Sequence, residues 1–198
     1  YFPNGGEMIS LNMYGKQLLN PIERVNVATA SGRLETYQNS ESATVIGGEL
    51  DVKKKIDKFT FDYNLSIVWS KINITDNGSS SIIVTNTERQ LQGASPVLSN
   101  MDVFYNVTDS INVGITYNYV GKKLQSVGVA GLGDIYQDPL HLLNVVGNVK
   151  LKHFDIRMKV GNILRTPYRL TQNADDGEHI VGNYRLGVRY SIGIKYMF

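Results

Sequence analysis

The stretch YRLGVRYSIGIKYMF, Tyr184 to Phe198, alternates from one end to the other. Tyr184, Leu186, Val188, Tyr190, Ile192, Ile194, Tyr196 and Phe198 share one side, while Arg185, Gly187, Arg189, Ser191, Gly193, Lys195 and Met197 share the other. Successive side chains of a strand point to opposite faces, so this pattern predicts a ribbon with one apolar and one polar face. Strands of soluble proteins usually run about five or six residues. A tilted strand that crosses a membrane needs roughly 9–11. Fifteen alternating residues that finish on an aromatic therefore point to the C-terminal strand of an outer-membrane barrel.

Seven other windows repeat the pattern. Ile9, Leu11 and Met13 alternate with Ser10, Asn12 and Tyr14; Ile46, Gly48, Leu50 and Val52 alternate with Val45, Gly47, Glu49, Asp51 and Lys53. Phe59 to Trp69 and Met101 to Tyr105 behave alike, as do Ile111 to Tyr119, Leu143 to Leu151 and Phe154 to Val160. Helical spacing fits none of these windows as well as period two. With the terminal ribbon they predict an all-β, antiparallel up-and-down transmembrane barrel segment of about eight strands. Short turns fall around Lys54–Lys58, Val107–Ser110 and Lys152–His153. Long connections cover about Gln17–Thr44, Ile72–Pro96, Gly121–His141 and Asn162–Asn183. Alternating short and long connections are the pattern of periplasmic turns and extracellular loops, which puts Phe198 on the periplasmic side.

Composition does not oppose this. The mean hydropathy of −0.18 looks soluble, but a barrel averages outward apolar residues with inward polar ones. No apolar run approaches the ~18 residues of a membrane helix. The chain has no Cys, which excludes disulfides, thiolate metal sites and a cysteine nucleophile. A net charge of +2 gives no reason to expect nucleic acid. Tyr is abundant, at 12 copies, and Tyr suits membrane–water interfaces. Tyr63, Trp69, Tyr105, Tyr117, Tyr119, Tyr184, Tyr190 and Tyr196 are the expected girdle residues. At the other end, Pro3-Asn4-Gly5-Gly6 is strong turn chemistry preceded by only Tyr1-Phe2. That reads as the stub of a preceding strand.

Laid out in order, these segments resemble the C-terminal part of the β-barrel of a TonB-dependent outer-membrane receptor. The resemblance is carried by Tyr1 to Leu11 with Asn20-Pro21-Ile22-Glu23, by Leu91 to Pro96, and by Tyr117 to Lys123. It continues through Asp134-Ile135-Tyr136 with Pro139 and His141, Gly161-Asn162-Ile163-Leu164, and Tyr190 to Phe198. Arg165-Thr166-Pro167 departs from the family pattern, in which an acidic residue is common there. The resemblance implies that residues 1–198 are the C-terminal segment of a 22-stranded barrel, with the plug domain and signal peptide outside this sequence. It further implies a receptor in the bacterial outer membrane that binds a scarce or bulky nutrient and imports it into the periplasm by TonB-coupled active transport. Expected partners are outer-membrane lipid, the rest of the barrel and plug, TonB, and the barrel-assembly machinery, with a surface lipoprotein as a further candidate. Tyr190, Ile192, Ile194, Tyr196 and Phe198 resemble the signal that the assembly machinery recognises. The alternative is a complete eight-stranded structural or adhesion barrel without transport, which would require the strand near Ile9 to close on the strand near Tyr190.

Signals of catalysis are poor. His141, His153 and His179 are isolated, and no His-x-x-x-His or Gly-x-Ser-x-Gly occurs. Asp175-Asp176-Gly177-Glu178-His179 lacks the spacing of a calcium loop. Gly128 to Gly133 lacks the Lys-Ser/Thr and the helix of a phosphate loop. No enzyme activity, cofactor or metal is expected. The charged inward set, Glu49, Asp51, Lys53, Lys150, Lys152, Arg157, Lys159, Arg185, Arg189 and Lys195, requires water, mutual pairing or a polar body inside the barrel.

Overall fold

A computed structural model describes residues 1–29, 32–73, 84–129, 131–174 and 177–197. Eight strands form one antiparallel sheet in the order β1 (Met8–Leu19), β4 (Ser42–Ile56), β5 (Phe59–Asn73), β6 (Val97–Asn106), β7 (Ile111–Val120), β10 (Leu140–Lys150), β11 (Phe154–Gly161) and β14 (Arg189–Tyr196). These are the eight windows read from periodicity. β1 and β14 are the two edges and do not pair with each other, so the sheet is not a closed eight-stranded barrel.

Two expectations need correction. The terminal ribbon is not one strand. Tyr184 and Arg185 end β13 (Gly177–Arg185), and the chain leaves the sheet before β14 begins at Arg189. Gly187 is the break: its φ of 65° is left-handed, a backbone that a strand cannot contain and that Gly adopts readily. Period two survives across this break, so sequence alternation could not reveal it. Phe198 lies outside the described residues. The long connections are likewise not simple loops. They contain a hairpin of β2 (Ile22–Thr29) and β3 (Gly32–Asn39), and a four-stranded sheet ordered β13, β12 (Pro167–Ala174), β9 (Ile135–Gln137) and β8 (Lys123–Ser126). Lys152 falls in the β10–β11 turn and Arg185 in β13, so neither belongs to the inward set.

The register joins the apolar positions of neighbouring strands into continuous rows. One runs Ile9, Val52, Tyr63, Met101, Tyr117 and Leu143. Another runs Phe61, Val103, Ile115, Val145, Val160 and Tyr190. Among the described residues nothing covers this face. Leu11 is 67% exposed, Met13 76%, Ile67 55% and Ile192 69%. A contiguous apolar surface of this size is untenable in water but suits lipid. Aromatics mark its margins. Phe59 stacks near Phe61 and lies 4.7 Å from Tyr105, and Phe154 lies 5.2 Å from Tyr196, all at the short-turn end. Trp69 stands on the same face as Phe59, toward the other end of β5. That separation is ~33 Å along a strand, or ~25 Å in height at a tilt near 40°, which matches the apolar band of outer-membrane barrels.

The buried hydrophobic side chains gather at the long-connection end. Val25, Leu124, Val127 and Val129 form one cluster, and Ala43, Val45 and Ile72 are buried in the same end of β4 and β5. The molecule thus has a lipid-facing sheet and, above it, a cap built like a small soluble domain.

Candidate functional site: the polar wall and its cap

The face opposite the apolar rows is a hydrogen-bonded polar wall. Asn118 donates to Asn100 at 2.6 Å, Asn112 to Asn106 at 2.8 Å, and Asn144 to Thr116 Oγ1 at 2.9 Å. Asn64 donates to Asp51, and Lys53 lies 3.3 Å from Asp62. Two glycines admit rings onto this wall. A Cβ on Gly47 would sit 2.4 Å from the Tyr14 ring, and one on Gly114 would sit 2.2 Å from the Phe104 ring. Each aromatic therefore lies flat across the neighbouring strand only because the position opposite has no side chain. The expected inward residues Glu49, Asp51, Lys53, Lys150, Arg157, Lys159, Arg189 and Lys195 all fall on this face by register.

The charges on the wall are segregated. The β4–β6 side carries Glu49, Asp51, Asp62 and Asp102 against Lys53 and Lys55. The β10, β11 and β14 side carries Lys150, Arg157, Lys159, Arg189 and Lys195 against Asp155. Between them the β7 positions Asn112, Gly114, Thr116, Asn118 and Val120 are uncharged.

The cap is held by a buried ion pair. Arg89 is bidentate to Glu23, with Nη1 to Oε1 at 2.6 Å and Nη2 to Oε2 at 2.7 Å, and Ser40 Oγ donates to the same carboxylate. The side chains are 2% and 0% exposed. The Arg89 carbonyl also accepts from the Ile72 amide at 3.0 Å, which ties the segment after β5 back onto the sheet. Gln92 acts as a surrogate strand. Its Oε1 accepts from the Arg24 amide at 2.7 Å, and its Nε2 donates to the Arg24 and Gln125 carbonyls, both at 2.9 Å. Asp134 accepts from the Gly128 amide at 2.8 Å and from Asn86 at 2.9 Å. The glycine-rich segment is therefore a closely packed corner: a Cβ on Gly128 would meet Leu132 O at 2.1 Å, and one on Gly133 would meet Asn173 O at 2.0 Å. Burial pushes the Tyr136 hydroxyl above its ordinary range. The Lys122 ammonium, 2.6 Å from Glu178, holds that carboxyl below its ordinary range.

Sequence reading missed Glu23–Arg89, Gln92 and Asp134 as a unit. The ion pair joins positions 66 residues apart, and no local periodicity signals a contact of that range. The histidines remain apart: His141 shares a 2.7 Å hydrogen bond with Tyr117, and His153 lies against Tyr196. Asp175 and Asp176 lie outside the described residues, and among the described residues no group of acidic and histidine side chains is arranged to hold a metal. Four of the expected assembly-signal residues are placed on β14. Tyr190, Ile192, Ile194 and Tyr196 face Val160, Met158, Ile156 and Phe154 of β11. The opposite edge of β14 offers its backbone groups to no strand among the described residues.

Comparison with solved structures places this geometry. The copper transporter OprC superposes with a TM-score of 0.70 at 15% identity, covering 99% of this chain and 30% of that one. The ferric-catecholate import receptor Fiu of E. coli K12 gives 0.64 at 14% identity, covering 98% and 26%. The ferric enterobactin receptor of Pseudomonas aeruginosa gives 0.62 at 15% identity, covering 98% and 29%. No family model matches the sequence, and no curated protein sequence matches it. The fold is that of the outer-membrane β-barrel of TonB-dependent receptors, and the chain spans a little under a third of the length of the receptors it matches. The short turns gather at one end of this sheet and the cap at the other, with the polar wall on the face opposite the apolar rows.

Proposed function

We propose that residues 1–198 are the C-terminal segment of the membrane barrel of a gated receptor, which binds a scarce or bulky nutrient at the cell surface and imports it by TonB-coupled active transport. The observation that carries this reading is the three-part construction. A lipid-compatible outer face and a charged lumenal wall stand beneath an internally packed extracellular cap, in a fold shared with receptors for ferric catecholates and a copper transporter. A complete eight-stranded barrel requires closure of β1 on β14, which is absent. Lipid, the remainder of the barrel, a plug and TonB are the partners of this reading, and a surface lipoprotein would contact the cap. It involves no covalent chemistry.

The terminal strand has a second role in this proposal. Tyr190, Ile192, Ile194, Tyr196 and Phe198 serve as the assembly signal, because an unpaired edge with alternating apolar side chains can add to a receiving strand.

The test uses the full-length protein extracted from outer membranes and the periplasmic domain of its host's TonB, immobilised for surface plasmon resonance. Saturable binding is expected. Absence of binding by receptor that is folded and located in the outer membrane overturns the proposal.

A further inference from the structure

His141 is an ionisable residue on an otherwise apolar side of the sheet. By register it continues a lipid-facing row that runs Leu11, Leu50, Leu65, Ser99 and Tyr119. Between His141 and Leu151 of the next short turn lie ~33 Å of strand, or ~25 Å in height, the same separation as between Phe59 and Trp69. That level is the margin where the apolar band gives way to lipid headgroups. An ionisable side chain turned toward lipid is costly unless it has a polar partner there, which makes it a candidate site. β7 and β10 are inner strands of the sheet, so the composition of this spot is independent of what pairs with β1 or β14.

The imidazole is held in place. Its Nδ1 lies 2.7 Å from the Tyr117 hydroxyl, and the ring sits 4.9 Å from that of Tyr119 and 6.2 Å from that of Tyr117. With the hydroxyl donating to Nδ1, the neutral ring carries its proton on Nε2; the protonated ring carries one there as well. In both states Nε2 presents an N–H on the side of the ring away from Tyr117. The β11–β12 turn is tied to the same stretch of β10. The Ile163 amide donates to the Leu143 carbonyl at 2.9 Å, and Thr166 Oγ1 donates to the His141 carbonyl. This turn carries exposed Ile163 and Leu164, followed by exposed Arg165 at a φ of 54°, whose amide closes the turn on the Asn162 carbonyl at 3.0 Å. An apolar tip and a guanidinium are thus fixed next to the Thr166–His141 bond. That combination suits an amphiphile: hydrocarbon for an acyl chain, and charged or polar N–H donors for a phosphate.

We infer that His141 and Arg165 form a headgroup site for an anionic, phosphate-bearing membrane lipid in the leaflet next to the cap. His141 Nε2 and the Arg165 guanidinium donate to the phosphate oxygens, Tyr117 positions the imidazole, and an acyl chain lies over Leu143, Ile163 and Leu164. This inference rests on the membrane setting of the reading above and adds which lipid the outer face selects and where.

The probe is dimyristoyl phosphatidylglycerol, added to the full-length protein in a neutral detergent and read by native mass spectrometry, with dimyristoyl phosphatidylcholine as its zwitterionic counterpart. The wild-type protein should retain phosphatidylglycerol roughly tenfold more tightly, as expected for charge-assisted bonds to phosphate. His141→Phe with Arg165→Gln should abolish this preference while keeping an aromatic ring on the lipid face, and Tyr117→Phe should weaken it. Lys71→Gln, a cation on β5 remote from the site, should leave it unchanged. Equal retention of the two lipids by folded wild-type protein overturns the inference. So does a loss in Lys71→Gln as large as in the double variant, which would mark non-specific attraction. Displacement of the lipid by inorganic phosphate also overturns it, in favour of a site for free oxyanions. TonB binding is measured on the same preparations and should be unaffected by His141→Phe with Arg165→Gln, so failure of the transport reading and failure of the lipid site remain distinguishable.

Discussion

Replacing Arg89 by Met strands the Glu23 carboxylate. In the native cap this carboxylate is fully buried and receives two charge-assisted bonds from Arg89 and one from Ser40. Only the Ser40 bond survives the change. Removing one member of a buried pair costs about 3–5 kcal/mol, because the remaining charge has lost both water and partner. The pair does not touch the membrane-spanning rows, so the cost falls on opening of the cap. At about 1.4 kcal/mol per factor of ten, cap opening should increase roughly a hundred- to a few-thousand-fold. Hydrogen exchange on the full-length receptor in detergent reads this directly. Amides of β2, β3 and residues 84–96 should lose protection, while those of β6 and β7 keep theirs. Adding Glu23→Gln to Arg89→Met removes the stranded charge, and a neutral replacement of a buried pair is often close to neutral in stability. The double variant should recover most of the protection. Unchanged cap exchange in Arg89→Met would refute the reasoning, as would a double variant no better than the single.

Other substitutions separate the faces and the ends. Ile115→Arg, in mid-strand on the apolar face, should destabilise the assembled barrel by about 2–4 kcal/mol in denaturant titrations in lipid, whereas Ser66→Arg on the polar face should cost far less. Gly114→Ala drives a methyl group into the Phe104 ring and should lower the unfolding midpoint by an amount corresponding to about 1–3 kcal/mol, typical of overpacking; an unchanged midpoint would count against the flat ring. At the short-turn end, the Glu7 carboxyl is held below its ordinary 4.5, first by the hydrogen bond from Lys54 and then by Asn4. A depressed carboxyl stabilises above its ordinary value and loses that contribution as pH falls through its folded one. Protection of the Ile9 amide, corrected for intrinsic exchange, should therefore drop in acid in the native protein and lack that component in Glu7→Gln. Deleting Phe198 from the full-length receptor should leave it unassembled in the periplasm, and normal heat-modifiable mobility with normal surface exposure of the shortened protein would contradict the assembly role.

Period two made the membrane sheet legible residue by residue. From Ile9 to Tyr196 the same alternation names both the strand and its face, since one side meets lipid and the other meets water. Only the parity of the register then follows, because a slip by one residue would turn the whole apolar set to the polar face whereas a slip by two would not. The cap was not legible for the converse reason. β8 and β9 are four and three residues long, too short to establish a period. The β2–β3 hairpin buries Val25 through a bridge to Val127, a contact that alternation within either segment cannot announce. The break at Gly187 escaped notice because a glycine inside an alternating run fits the polar face as well as it fits a turn.

The two halves of the molecule therefore obey different rules, and this bears on where recognition can be built. In the sheet, apolar residues are satisfied by lipid, so side-chain packing within the chain fixes little beyond the register. In the cap, the same residue types must be covered by protein, and the cap does so with Val25, Leu124, Val127 and Val129 around a buried ion pair. A surface that distinguishes one solute from another needs side chains locked by their neighbours. Among the described residues two places meet that condition. One is the cap; the other is the corner where Asn144, Asn162 and Gly187 fix the backbone beneath Lys159 and Arg189. Among the described residues of the cap, Arg89 is paired with Glu23, Lys122 with Glu178 and Arg169 with Asp138, and Asp134 is bound by Gly128 and Asn86. Both places are held by side chains locked against their neighbours, whereas the rest of the sheet is held chiefly by its register.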